Sequence, residues 1–158
     1  MDLLLMRHAQ AVPRDADAAR IPDAARPLTK HGRVQLGHTV RGLERLRVRL
    51  DGVFHSPKLR SIETADVLSS LLDGETIVTR RLCVRPSEQL LAEIHGERVA
   101  LVGHEPHLSA LVAMLVGAPA AIKLKPSGVA WLEGDLRPGG MQVRALLSPR
   151  VLRALAER

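Results

Sequence analysis

The amino-acid sequence predicts a three-layer α/β/α sandwich built on a mainly parallel central sheet. Three observations point to this architecture. Short apolar or β-branched runs alternate with segments of helical periodicity along the whole chain. The first run, Asp2 to Met6, is apolar without alternation, the pattern of a strand covered on both faces. Polar clusters rich in Arg and His follow several of the runs directly, where open α/β sheets hold their ligands. The length of 158 residues suits a single domain spanning 1–158.

After the first strand, residues 13–27 are rich in Ala, Asp, Arg and Pro and are expected to form an exposed loop. Thr29 is placed to cap a helix in which Leu36, Val40, Leu43 and Leu50 recur at helical spacing, until Asp51-Gly52 breaks it. Val53 to His55 is a second strand. Ser56 and Pro57 then start a helix with Leu59, Ile62, Leu68 and Leu71 as its inner face, ending at Asp73-Gly74. Thr76 to Thr79 has the β-branched composition of a third strand. A helix is expected from Pro86 to Ile94, and a fourth strand from Arg98 to Val102. Glu105-Pro106 opens a helix whose Leu108, Leu111, Val112, Leu115 and Val116 follow an i, i+3, i+4, i+7, i+8 pattern. Late strands at 128–132 and 142–147 flank a Pro138-Gly139-Gly140 turn, and a last helix starts near Ser148-Pro149.

Composition narrows the possible functions. Hydrophobic residues make up 46% and charged residues 25%, a globular balance. No apolar run reaches the roughly 20 residues that cross a bilayer. Leu3 to Met6 is too short for a signal peptide's apolar core and follows Asp2. Cys83 is the sole cysteine, which excludes an internal disulfide and fits a reducing, cytoplasmic setting. A net charge of +6 favours anionic partners. Nucleic acid is not expected among them. Phe54 and Trp131 are the only aromatics, and the cations are interleaved with Asp and Glu.

The chemistry lies in three clusters at strand ends: Arg7-His8, Ser56 to Arg60, and Gly103 to Pro106. Together they could bring two guanidinium groups and two imidazoles to one pocket, beside two helix N-termini that favour anions. Arg presents a planar fork suited to phosphate oxygens. A histidine with a pKa of about 6.5 keeps a neutral nitrogen available as a nucleophile at cellular pH.

The segments that carry these residues resemble a known family. Leu5-Met6-Arg7-His8-Ala9 is similar to the Arg-His-Gly signature of the histidine phosphatase superfamily, which includes phosphoglycerate mutases and acid phosphatases. More narrowly, the chain resembles the compact phosphohistidine phosphatases of the SixA type. The likeness runs through Arg7 to Ala11, Arg26 to Gly32, Ser56 to Ala65 and Val102 to Pro106, and more weakly through Lys125 to Ala130. It implies a phosphoglycerate-mutase-like fold and a catalytic core of Arg7, His8, Arg60 and His104. On that resemblance His8 would be the residue phosphorylated, and Arg7, Arg60 and His104 would bind the phosphoryl group. No metal or cofactor is expected if Arg7, Arg60 and His104 neutralise the developing charge. Ala9 stands where the superfamily usually has Gly, so the backbone there must avoid a Gly-only conformation. No clear match exists to the carboxylic acid that larger members use as proton donor; Glu88 and Glu105 are the nearest candidates.

The expected function is hydrolysis of phosphohistidine in a phosphorylated protein, releasing inorganic phosphate, with no nucleic-acid or membrane partner. An imidazole leaving group needs less help from an acid than an alkoxide does. The alternatives are a phosphatase of small phosphomonoesters and a non-catalytic, phosphate-dependent binding module, the latter disfavoured by the presence of all four core residues. Ser56 reads as a helix cap rather than a phosphate contact. His55 could line the pocket. His104 and His107 have i, i+3 spacing but lack further metal ligands. Cys83 has Gln89, not Arg, six residues later, and so does not match a cysteine-phosphatase nucleophile.

Overall fold

A computed structural model describes residues 1–14, 21–119 and 122–158. Six strands, β1 (Asp2–Arg7), β2 (Leu50–His55), β3 (Leu72–Val78), β4 (Arg98–Gly103), β5 (Val129–Gly134) and β6 (Met141–Leu147), form one sheet in the order β3-β2-β4-β1-β5-β6. The pairs β3–β2, β2–β4 and β4–β1 are parallel, whereas β1–β5 and β5–β6 are antiparallel. Helices α1 (Lys30–Arg45), α2 (Leu59–Val67) and α5 (Pro149–Ala156) cover one face; α3 (Glu88–Glu93) and α4 (His107–Val116) cover the other. The predicted three-layer sandwich is the observed fold.

Strand β1 shows why its sequence is apolar throughout. Side chains alternate across a strand, so Leu3 and Leu5 join the core beneath α4 while Leu4 and Met6 join the core beneath α1. All four are at most 3% exposed. Parallel register then sets the strand ends level. Arg7 lies opposite Gly103, and His55 opposite Val102. The chain therefore leaves β1, β2 and β4 along one edge of the sheet.

Several boundaries differ from the sequence expectation. Helix α1 ends at Arg45, because Arg47 takes a left-handed φ of 58° and Leu50 already belongs to β2. The apolar period simply continues into the next strand. Helix α2 begins at Leu59 with Lys58 as its N-cap, so neither Ser56 nor Pro57 is its first turn. Its buried face is Arg60, Ser61, Thr64 and Ala65 rather than Leu59 and Ile62, while Leu68 and Leu71 are buried from a following 3-10 turn. Strand β3 starts at Leu72 and includes Asp73-Gly74. The loop after β1 is partly folded, with a 3-10 turn at Asp23–Ala25; residues 15–20 of that expectation lie outside the described residues.

Close approach requires glycine at two positions that shape the helices near the site, Gly32 and Gly42. At Gly32 an added Cβ would lie 2.3 Å from the Gln10 carbonyl oxygen, in the turn where Thr29 Oγ1 accepts from Gly32 N and caps α1. At Gly42 it would lie 2.2 Å from the Leu152 carbonyl oxygen, where α1 crosses α5. Backbone cannot yield as a side chain can. Gly42→Ala should therefore lower stability by about 2 kcal/mol or more in urea denaturation; an unchanged midpoint would contradict the close α1–α5 contact.

Candidate active site

Strand register delivers the site. His8 N donates to Gly103 O (3.1 Å) and Ser56 N donates to Val102 O (3.2 Å), so both segments continue the ladder just past the strands. Helix α2 then carries Arg60 on its first turn, facing inward and 3% exposed. Arg7, His8, Arg60 and His104 all line one cavity of about 270 Å³, with Arg14, Arg26 and Glu105 also in its wall. The four residues singled out in sequence are brought together.

The hydrogen bonds of His8 define its chemistry. Nδ1 is 2.7 Å from Ala9 O. A carbonyl only accepts, so Nδ1 carries the proton and the Nε2 lone pair is left toward the cavity. Arg60 Nε donates to that Nε2 at 3.3 Å. Ala9 is fully buried, has no positive φ, and donates its N–H to Thr64 Oγ1 at 3.0 Å. Alanine is thus accommodated without a Gly-only backbone. Thr64 in turn donates to Arg60 O (2.7 Å), linking α2 to the turn after β1.

His104 stands beside His8, with ring centroids 5.1 Å apart and planes at 54°. Its Nε2 is 2.6 Å from Ser56 Oγ and 3.4 Å from Ser61 Oγ. Ser56 therefore orients the second imidazole; its contact to Lys58 N is a longer 3.4 Å, and the capping role expected for it is not the main one. Arg7 donates from one terminal nitrogen to Leu124 O at 2.9 Å. Arg7 Nε and His104 Nδ1 are both buried without a hydrogen-bond partner among the described residues.

Sequence reasoning missed Asp23. Its backbone O accepts from Arg60 at 2.7 Å, and its carboxylate accepts from Arg60 (3.3 Å), Lys58 (2.8 Å), Arg26 (3.0 Å) and Arg14 (3.2 Å). The Lys58 hydrogen bond first, then Arg26 and Arg60, hold this carboxyl well below the usual carboxylate range. No local signal marks this aspartate in an Ala- and Pro-rich loop. Arg26 was visible as part of a motif, but not as a cavity residue.

The two acid candidates resolve differently. Both oxygens of Glu105 are used: one accepts from Ser109 N (3.3 Å) and Oγ (2.6 Å), the other from Leu124 N (2.9 Å). Glu88 is exposed at the start of α3 and does not line the cavity. Nor does His55, whose Nδ1 bonds Ser56 O at 2.9 Å. Among the described residues, no group of three or more His, Cys, Asp and Glu side chains could hold a metal ion. Among the described residues, no helix is long and apolar enough to cross a membrane.

Burial lowers the His8 pKa to about 4, with Arg60, Arg7 and Arg26 adding to the effect and the Ala9 hydrogen bond opposing it. Burial likewise lowers His104 to about 3, helped by His8, Arg60 and Lys58. Both rings are neutral near pH 7. Because the native pKa values lie below the unfolded value of about 6.5, the unfolded chain binds protons that the native state excludes as pH falls from 6.5 toward 4. Stability should decline through that window. In NMR titration neither ring should protonate near pH 6.5, and added phosphate should raise both pKa values; ordinary titration at 6.5 in the free protein would contradict the described burial.

A family model for the histidine phosphatase superfamily (branch 1) matches residues 3–85. An uncharacterised protein of Picosynechococcus sp. (strain PCC 7002) is 29% identical over 155 residues, covering 92% of this chain and 90% of its own. The structure of the protein histidine phosphatase SixA complexed with tungstate matches with a TM-score of 0.79 at 25% identity, covering 96% of this chain and 99% of the other. The alpha-ribazole phosphatase of Shigella flexneri shares the fold, with a TM-score of 0.74, 20% identity, and coverage of 94% and 97%. The family match spans more than half the sequence and includes three of the four clustered side chains, and the fold agrees from end to end: the chain belongs to the histidine phosphatase superfamily, on its SixA-like side.

Proposed function

We propose that the chain is a phosphatase that takes a phosphoryl group onto His8 Nε2 and passes it to water, and that its substrate is phosphohistidine in a protein. The observation that carries this reading is the lone-pair nitrogen of His8, fixed by Ala9 O and faced by Arg60 Nε at 3.3 Å, in a cavity shared with Arg7 and His104. In the first step the Nε2–P bond forms while the substrate's N–P bond breaks, and the departing imidazole nitrogen takes a proton from solvent. In the second, a water oxygen bonds phosphorus, the Nε2–P bond breaks, and inorganic phosphate leaves with His8 neutral again.

Phosphoryl transfer asks the protein chiefly for position and positive charge. Arg7 and Arg60 supply the charge without a metal. Their role also fits the orphaned buried atoms Arg7 Nε and His104 Nδ1, two of three such atoms among the described residues (Thr39 Oγ1, away from the cavity, is the third), since unpaired buried polar groups are costly and a tetrahedral oxyanion offers acceptors. The similarity to SixA, whose structure holds the oxyanion tungstate, supports the same reading. His104, neutral in the free protein, gains a proton more easily once the anion is beside it.

Glu105 favours phosphohistidine over small phosphomonoesters. An alkoxide leaving group needs a proton donor, and the carboxylate in the cavity wall is committed to Ser109 and Leu124. The fold shared with an alpha-ribazole phosphatase keeps small phosphoesters as the second reading. A single domain acting in the cytoplasm completes the proposal.

The protein should hydrolyse a phosphohistidine peptide faster than p-nitrophenyl phosphate or sugar phosphates. His8→Ala should lose turnover by at least roughly 10³-fold. Activity retained in that variant, or confined to small esters, would refute the mechanism or the substrate assignment respectively. Asp23→Ala removes the carboxylate that Arg60 shares with Lys58 and Arg26, leaving Arg60 only the backbone carbonyl of residue 23, and should lower kcat/KM by roughly 10²-fold, with Asp23→Asn intermediate because one side-chain acceptor remains. Unchanged kinetics in both would remove Asp23 from the site.

A further inference from the structure

A second, larger concavity adjoins the catalytic cavity. It measures about 510 Å³ and shares Gln10 and Pro126 with the smaller one, so the two form a continuous surface. Its walls are the first turns of α1 and of α5, held together where Gly42 meets Leu152, and the segment around Lys125. Its volume falls in the range of sites that take extended ligands and far exceeds what one phosphate fills.

Its charge is of one sign. Lys125, Arg150 and Arg153 line it together with the imidazoles of His31 and His38, the latter accepting from Arg41 at 2.9 Å, and among the described residues no carboxylate does. Arg153 has a long 3.8 Å contact to Glu157; neither Lys125 nor Arg150 forms an ion pair within 4.0 Å among the described residues. These cations are not neutralised locally as Arg98 is by Asp51 or Arg81 by Glu93. The chain enters α5 through Ser148, whose Oγ accepts from Val151 N, so the positive end of that helix dipole adds to the same wall.

We propose that this groove receives the acidic residues flanking the phosphohistidine of a partner protein, and so selects the substrate. The proposal rests on the phosphatase reading above. Since the groove abuts the catalytic cavity, the carboxylates that fill it lie within a few residues of the phosphorylated one, an extended chain advancing about 3.4 Å per residue. Opposed charge would speed encounter and hold register, while the catalytic cavity supplies the chemistry.

The test compares two phosphohistidine peptides, one flanked by Asp and Glu and one by Asn and Gln, with free phosphohistidine as the small reference. The wild-type protein should show a KM roughly tenfold lower for the acidic peptide at low salt, with the difference shrinking as ionic strength rises. Arg150→Gln/Arg153→Gln should abolish the preference while leaving turnover of free phosphohistidine unchanged, and Lys125→Gln should weaken it. Equal use of both peptides by the wild type, or a preference that survives in the double variant, would overturn the groove and leave the phosphatase reading intact. If no phosphohistidine compound is hydrolysed, that reading fails. Fluorescence anisotropy with the unphosphorylated acidic peptide then decides the groove: salt-sensitive binding lost in the double variant upholds it, and absence of binding refutes it.

Discussion

The site depends on the register of β1 against β4. Arg7 faces Gly103 across the ladder, and the next hydrogen bond, His8 N to Gly103 O, keeps the chain in step beyond the strands. That single alignment sets the two imidazoles 5.1 Å apart. Side chains on a strand alternate between faces, so a slip of one residue would exchange the Leu3/Leu5 and Leu4/Met6 sets and turn His8 away from His104. The cost of misplacing four buried aliphatic side chains thus protects the geometry of the polar ones.

Once the ends are level, electrostatics determines what the cluster can do. Burial and three guanidinium groups keep His8 unprotonated, and its one proton is committed to Ala9 O. Concentrating positive charge is unfavourable without an anion, and Asp23 provides one. It binds Arg60 through both backbone and side chain and engages Lys58, Arg26 and Arg14 as well. The carboxylate holds the guanidinium of Arg60 against His8 and offsets repulsion among its neighbours. A preorganised cationic pocket needs little rearrangement when a phosphoryl group enters.

Much of this was legible in the amino-acid sequence where local pattern and long-range structure agree. The apolar run of β1, the stripe of α4 and the Thr29 cap each reflect a constraint that acts within a few residues. Arg7, His8, Arg60 and His104 were legible for a related reason: each belongs to a polar cluster at or just past the end of a strand, and parallel strands bring their ends to one edge. Helix α2 was misread because its inner face is polar. Arg60, Ser61 and Thr64 point inward to serve His8, Ala9 and His104, so an apolar stripe is the wrong signal there. Leu50 extended a helical period by coincidence. Asp23 could not be found from its neighbours, since its partners lie as far as 37 residues away.

The claim that His8 carries the phosphoryl group is tested most directly by rapid-quench mass spectrometry during turnover of a phosphohistidine peptide. The expected product is an acid-labile phosphoryl group on the peptide containing residue 8, formed within the first turnover and absent in His8→Ala. Continued turnover with no phosphorylated protein at any quench time, or with the phosphoryl group on another residue, would contradict it.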